Sequence, residues 1–358
     1  MIGEKQIPQV LSSLSKLVSL DLSSYYTELK VDRKTFRSLL QDLTNLEVLL
    51  LDNADASFEL PKNLSYSLRY LSLEGISMFG NISEFQIFHL PNLQVLRFGH
   101  NPLLTGTLPN FNRSSNGRSI LELDLFYTGI SGKVPDSIGN LHSLWYLNLQ
   151  NCHLSGSIPE SIGNLTAIRE LILSENDFTG NVPSTISKLN KLVSLDLSSN
   201  YLRGSILEYI DNLTAITQFT IPDNSFTGNV PSTIRKLNKL NYLSLSSNYF
   251  EGSIPDIFAN FSELVALVFD TNNFTGSFPC SIATLTRLVN LELQNNLLTG
   301  PLPSNMSGFQ HLQLFHWRNT PFVIPSSKIG FFTCSTQSIN WEIAKCAQEE
   351  LSRIRTMP

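Results

Sequence analysis

Residues 181–200 read NVPSTISKLNKLVSLDLSSN, and residues 229–248 read NVPSTIRKLNKLNYLSLSSN. The two stretches start 48 residues apart, and a looser phrase, L-x-x-L-x-L-x-x-N-x-(L/F)-x-G-x-(I/V)-P, recurs every 24 residues around them. A fixed period of this length indicates a stack of similar units that each contact only their neighbours, rather than one globular core. The third apolar position of the phrase falls at Leu125, Leu149, Leu173, Leu197, Ile221, Leu245, Phe269, Leu293 and Trp317.

The L-x-L core of the phrase alternates apolar and polar residues, which predicts a short strand in every coil. In Leu195-Asp196-Leu197 the two leucines should point into the coil and Asp196 outward. An Asn follows three positions after the core, where the chain must turn, and its amide can satisfy inward-pointing backbone groups. Cys152 occupies this position in one coil and is interpreted as a small buried substitute. The predicted ladder of amides comprises Asn101, Asn176, Asn200, Asn224, Asn248, Asn272 and Asn296.

The Gly and Pro of each phrase predict a tight bend followed by a short helical or 3₁₀ arc. One coil, Gly204-Ser-Ile-Leu207, has Leu where Pro is expected, and residues 33–43 have the pattern of an amphipathic helix. Thirteen coils can be placed. The predicted fold is therefore an α/β solenoid, a curved right-handed stack with a parallel sheet on its concave face and helical or 3₁₀ arcs on its convex face. Its predicted parts are a lead without a cysteine cap (1–11), irregular repeats (12–119), regular repeats (120–323) and a non-repeat tail (324–358).

Composition excludes several classes of function. The net charge of −5 gives no basic footprint for nucleic acid, and no apolar run reaches the length of a membrane span. The first residues have no apolar secretory segment. The six histidines are scattered, no C-x-x-C occurs, and each glycine is assigned to its coil phase, so neither an enzyme, a cofactor nor a metal site is predicted. Cys334 and Cys346 could form a disulfide or remain two free thiols.

The outward positions of the strands give the candidate binding residues. Acidic side chains outnumber basic ones there, and three aromatic residues fall on two adjacent coils. This pattern favours a strip that binds a peptide or protein with basic character and an apolar anchor; a polar face that only keeps the stack soluble is the alternative. The candidates are Glu122, Asp124, Phe126, Tyr127, Tyr146, Asn148, Gln150, Glu170, Asp196, Tyr242, Asp270 and Glu292.

Eight Asn-x-Ser/Thr sequons are candidate sites of N-glycosylation, a modification of secreted proteins. Three of them share one phase of the repeat, on the arc that follows the strand. The eight are Asn63, Asn81, Asn112, Asn164, Asn212, Asn260, Asn273 and Asn305.

The 24-residue phrase with GxIP after the Asn resembles the plant-specific leucine-rich repeat over about residues 10–320. The irregular early coils, including LSKLVSLDLSSYY and the helical insert, resemble the ectodomains of plant receptor-like proteins, similar to the tomato Cf resistance proteins. This resemblance implies a ligand-sensing ectodomain at the plasma membrane or in the apoplast, acting in defence with a co-receptor kinase. The family's signal peptide, cysteine caps and membrane helix are not seen in this sequence. Two alternatives stay open: a soluble inhibitor resembling polygalacturonase-inhibiting proteins, or a non-functional truncated product.

Overall fold

The computed structural model describes residues 5–6, 14–23, 29–111, 120–317 and 322–323. Two compact units are formed, Met1–Tyr201 and Leu202–Pro358. The tail with Cys334 and Cys346, and the sequon at Asn112, lie outside the described residues. The division into lead, irregular repeats, regular repeats and tail remains a prediction.

Each coil contributes one short strand to a parallel main sheet, as the L-x-L pattern predicts. Leu171 pairs with Leu195 on the next strand, and Leu195 and Leu197 are completely buried. Within the described ranges the units contain eight and five such strands, thirteen together, which equals the predicted number of coils. In the first unit they are Ser19–Asp21, Val48–Leu50, Tyr70–Ser72, Val95–Arg97, Glu122–Asp124, Tyr146–Asn148, Glu170–Ile172 and Ser194–Asp196; in the second they are Gln218–Thr220, Tyr242–Ser244, Ala266–Val268, Asn290–Glu292 and Leu314–His316.

The asparagines after the strands form hydrogen bonds to the preceding coil. Asn248 is buried; its Oδ1 accepts from the Phe226 N–H at 2.9 Å, and its Nδ2 donates to the Ile221 carbonyl at 2.9 Å. The same pattern recurs at Asn176, whose Oδ1 accepts from the Leu154 N–H at 2.9 Å. Corresponding bonds to backbone groups are made by Asn101, Asn200, Asn224, Asn272 and Asn296.

Cys152 lies fully buried at its ladder position, and its Sγ donates to the Leu125 carbonyl at 3.0 Å. Burial raises the pKa of this thiol, which keeps it protonated and unreactive. Thr128 holds the ladder position of the coil before, and its hydroxyl donates to the same carbonyl, which belongs to its own coil, at 2.9 Å. A single donor can therefore replace part of the amide's function.

The residue before each ladder position adopts a left-handed conformation, although it is rarely glycine. Glu175 has φ +55° and Ser199 has φ +51°. This conformation directs the chain out of the strand and costs about 1 kcal/mol or more for a residue with a Cβ. The asparagine hydrogen bonds between neighbouring coils must therefore stabilise this left-handed conformation.

After the ladder the chain enters a second set of parallel strands that the sequence analysis did not predict. These segments pair with the same segment of the adjacent coil, as Glu251 does with Asn273. They are Gly80–Asn81, Asn101–Gly106, Thr128–Ile130, Ser155–Gly156 and Asp177–Asn181, then Tyr201–Gly204, Ser225–Gly228, Tyr249–Ser253 and Asn273–Thr275. Two further parallel pairs join Lys5–Gln6 to Leu29–Lys30 and Gly300–Pro301 to Phe322–Val323.

The predicted arcs are short 3₁₀ helices. Five-residue arcs follow five of the prolines, as at Pro183, whereas three-residue arcs form in the coil with Leu207 in place of Pro and in the coil of Pro255. They are Ile82–Glu84, Gln86–His89, Asp136–Asn140, Glu160–Asn164, Ser184–Lys188, Ile206–Glu208, Ser232–Lys236, Phe258–Asn260 and Cys280–Thr284. The helix predicted at 33–43 is α1, Arg33–Gln41, whose N-cap Asp32 accepts from two backbone N–H groups. These elements confirm the predicted leucine-rich-repeat solenoid.

Candidate functional site

The outward side of the main sheet, here called the strand face, carries the candidate binding residues. The sequence predicts solvent-facing side chains there, and for three of them this is wrong. Glu122, Asp124 and Asn148 are only 5, 8 and 6% exposed. The parallel register places Tyr146 beside Glu122 and Asn148 beside Asp124, so long side chains one coil away cover the shorter ones.

Glu122 forms an ion pair that is partly enclosed by the strand face. Arg97 Nε lies 2.5 Å from Glu122 Oε1, and the Arg97 guanidinium stands over the Tyr70 ring with its carbon 5.7 Å from the ring centroid. This cation–π contact adds to the attraction that holds the guanidinium on the strand face. Glu122 is therefore neutralised within the chain and is not available as a free anion.

Asp124 is the centre of a hydrogen-bond network. Its Oδ2 accepts from the Tyr146 hydroxyl at 3.2 Å and from Asn148 Nδ2 at 3.4 Å, and its Oδ1 accepts from the Phe126 N–H at 3.1 Å. Burial raises the pKa of Asp124 despite these donors. Burial, with the nearby Asp124 charge, also raises the pKa of Tyr146. The network thus keeps a carboxylate in a poorly solvated position.

Glu74 lies two positions beyond the main-sheet strand Tyr70–Ser72 and was not among the predicted binding residues. It is half-buried. Burial raises its pKa, and the nearby charges of Asp52 and Asp124 raise it further. The Asp52 carboxylate already has hydrogen-bond partners within the chain, since its Oδ1 accepts from the Ser72 hydroxyl at 2.6 Å and from the Glu74 N–H at 2.9 Å.

Phe126 lies over Gly99, because a Cβ at Gly99 would be 2.4 Å from two atoms of the ring. The ring meets His100 edge to face at a centroid distance of 4.4 Å. Tyr127 is 46% exposed, whereas Phe126 and Tyr146 are half-buried, so the predicted aromatic group is only partly exposed. The absence of a side chain at Gly99 therefore makes room for the Phe126 ring. Gly99 is not explained by its position in the repeat, which corrects the sequence-based assignment of every glycine to a repeat position.

Trp145, which the sequence analysis did not select, extends this aromatic group. It is 36% exposed and lies beside Tyr146 at a centroid distance of 5.7 Å. Its position directly before the strand, rather than at an outward position of the L-x-L core, explains why the strand pattern did not select it.

The other candidates in the first unit are half-buried and form polar contacts along the face. Gln150 Nε2 donates to Glu175 Oε1 at 2.7 Å, and Asp196 accepts from the Ser198 N–H at 3.0 Å. Glu170 lies on the strand between those of Tyr146 and Ser194. This part of the strand face is polar, without the exposed aromatic side chains of the earlier coils.

The second unit has its own polar strand face. Glu292 accepts from Asn290 Nδ2 at 2.9 Å and from Gln294 Nε2 at 3.1 Å. Burial, and secondarily the charge of Glu292, raises the pKa of Asp270. Tyr242 is 38% exposed. These residues present negative charge, as predicted, with one exposed aromatic ring.

The sequon asparagines differ in their surroundings. Asn164 and Asn260 are exposed at the ends of their 3₁₀ arcs, and Asn212 is exposed in the turn after the arc of its coil. Asn81 is half-buried, and its Oδ1 accepts from the Ser83 N–H at 3.1 Å while its Nδ2 donates to Glu84 at 3.2 Å. The other sequon asparagines within the described residues are also exposed; they are Asn63, Asn273 and Asn305.

Nowhere in the described ranges do three or more His, Cys, Asp or Glu side chains lie in a group suited to a metal ion. None of the helices in the described part of the chain has the length and apolar content that a bilayer span requires.

The model of the Leucine Rich Repeat family matches residues 143–165, 167–189, 191–213 and 239–261. These matches fall on four of the coils and agree with the leucine-rich-repeat solenoid fold that the parallel sheet and the asparagine ladder define.

Its relatives are plant receptor-like proteins. The chain is 38% identical to Receptor-like protein 6 of Arabidopsis thaliana over 147 residues, and 35% identical to Receptor-like protein Cf-9 of Solanum pimpinellifolium over 138 residues. These stretches cover 39 and 38% of this chain but only 14 and 16% of the two relatives. The ectodomain in the PEPR1–AtPEP1 crystal structure matches with a TM-score of 0.81 and 27% identity, over 89% of this chain and 44% of that one.

A second solved neighbour is the plant peptide hormone receptor RGFR1 in complex with RGF2. It matches with a TM-score of 0.63 and 28% identity, over 89% of this chain and 58% of that one. The chain therefore spans a minor part of its curated relatives and about half of these ectodomains.

Proposed function

We propose that this chain is a ligand-binding segment of a plant cell-surface receptor-like protein, and that it recognises a peptide or protein ligand without catalysing a reaction. The strand face of the first unit is the single observation that carries this proposal. It joins exposed and half-buried aromatic rings to negative charge, which is the composition expected of binding hot spots with a charged surround.

The relatives support the receptor class. Two solved neighbours, PEPR1 and RGFR1, are named with their ligands AtPEP1 and RGF2, and Cf-9 is among the curated relatives. By analogy we extend ligand binding to this chain, together with defence signalling, a co-receptor kinase and a location at the plasma membrane facing the apoplast.

The test compares two exposed tyrosines on different sides of the coils. Tyr127 is on the strand face at 46% exposure, and Tyr249 is on the second set of strands at 57% exposure. Peptides selected from a displayed random library on the purified chain should lose about tenfold or more in affinity with Tyr127→Ala, since an aromatic hot spot contributes about 2 kcal/mol. They should bind Tyr249→Ala as they bind the unmodified chain. Selected peptides that are insensitive to Tyr127→Ala would remove the strand face from the proposal.

A further inference from the structure

Glu74 is the one strand-face acid in the coils between Asp52 and Asn148 whose carboxylate makes no hydrogen bond or ion pair to the described residues. Asp52 accepts from Ser72 and from the Glu74 N–H, and Asp124 accepts from Tyr146 and Asn148. A half-buried carboxylate without a partner in the chain can accept a charge-assisted hydrogen bond from a group outside it.

The charges around Glu74 do not compensate it. Arg97 is the cation of this part of the face, and it is already bound to Glu122 at 2.5 Å. Asp52 and Asp124 both raise the pKa of Glu74, while His100 and Arg97 lower it by smaller amounts. The surface here is therefore negative, and its electrostatic complement is a positively charged group.

The apolar side of the same region lies next to this charge. The sequence positions of Glu74, Gly99 and Phe126 follow each other in register after three adjacent strands. Because adjacent strands are about 4.8 Å apart, Phe126 is about two coil steps from Glu74. Since Gly99 has no side chain, the Phe126 ring lies in the space between the two positions.

We propose that the strand face between Asp52 and Asn148 docks an extended basic peptide, with an ammonium or guanidinium group against Glu74 and an apolar side chain against Phe126 and Tyr127. The charges of Asp52 and Asp124 add to the negative potential at Glu74. The proposal rests on the proposed function and names the chemistry of its ligand. Two coil steps of about 4.8 Å correspond to about two to three residues of extended peptide at about 3.3 Å each. The basic and apolar anchors should therefore be two to three residues apart.

The experiment selects a displayed library of random linear peptides on the full chain and, in parallel, on Glu74→Gln and Glu74→Lys. Glu251→Gln is the matched control, since Glu251 is exposed on the second set of strands. Synthetic versions of the enriched peptides are then titrated by calorimetry at low and high salt, after each variant has been shown to keep the circular dichroism and melting temperature of the unmodified chain.

The expected result is enrichment of Lys or Arg two to three residues from an aromatic or aliphatic residue. Glu74→Gln should weaken these peptides about tenfold, Glu251→Gln less than twofold, and the affinity should fall with salt. Glu74→Lys should shift the enriched residues from basic to acidic. Enriched peptides that are neutral or acidic, or that bind Glu74→Gln unchanged, overturn this inference while the proposed function stands. Failure to enrich any peptide over an unrelated protein overturns this inference together with the peptide-binding form of the proposed function.

Discussion

Replacing Asn248 with Ala removes one step of the ladder from the middle of the second unit. The Asn248 side chain receives the Phe226 N–H and donates to the carbonyls of Ile221, Leu245 and Ser246 at 2.9 to 3.2 Å. Alanine leaves the Phe226 N–H of the preceding coil without this partner, whereas the Ile221 carbonyl loses one donor and keeps Asn224 Nδ2 at 3.4 Å. Since an unsatisfied buried donor costs about 1–3 kcal/mol and a lost hydrogen bond about 1 kcal/mol, the substitution should lower the free energy of unfolding by about 2–4 kcal/mol.

The assay is urea unfolding followed by circular dichroism, with hydrogen exchange of the Phe226 amide as a local measurement. Asn238→Ala, which truncates an exposed asparagine in the same unit, should change stability by less than about 0.5 kcal/mol. Asn248→Thr should fall between the two, because a hydroxyl donor occupies this position at Thr128. If Asn248→Ala were as stable as Asn238→Ala, or if the Phe226 amide kept its protection, the ladder would not stabilise the stack.

Three further predictions concern the strand face and the sequons. Gly99→Ala should destabilise the chain by about 1–3 kcal/mol in urea unfolding, because a Cβ meets the Phe126 ring at 2.4 Å; the cost should largely disappear in a Phe126→Ala background, and an equal cost there would refute the contact. Burial raises the pKa of Asp124 above its ordinary 3.8, so its contribution to stability is present below that value and is lost as pH rises through the raised pKa. The stability of the chain relative to Asp124→Asn should therefore fall with rising pH, and a difference that grows with pH would contradict this. In a secretory host, glycopeptide mass spectrometry should find Asn164 modified and Asn81 largely unmodified, because Asn81 is held by Ser83 and Glu84; equal occupancy would show that these bonds do not protect it.

The sequence predicted the features that depend on the repeat itself. Leu195 and Leu197 are buried and Asn200 is in the ladder because the same spacing recurs in every coil, so the period alone determines which way they point. The 3₁₀ arc after Pro183 and the helix Arg33–Gln41 follow from local chemistry in the same way.

Contacts between side chains of different coils could not be read from the repeat. The burial of Glu122 and Asp124 depends on which side chains lie one coil away. The need for glycine at position 99 is explained only by the Phe126 ring of the next coil. The second set of strands was missed because its segments carry no alternating pattern of their own: Tyr249–Ser253 pairs through its backbone with the next coil. Glu74 was overlooked because it follows the L-x-L core and is not an outward position within it.

The direction of the ladder bonds has a consequence for the two ends of any such stack. Each amide serves the coil before it: Asn272 accepts from the Phe250 N–H and donates to the Leu245 carbonyl. Within the ladder, shortening a stack from its first coil frees groups of a side-chain amide, which water can satisfy. Shortening it from its last coil removes the partner of a main-chain donor such as the Phe250 N–H, while the Leu245 carbonyl keeps the Asn248 amide of its own coil at 3.2 Å. The two ends are thus chemically unequal, and a protective cap should contribute more after the final coil than before the first.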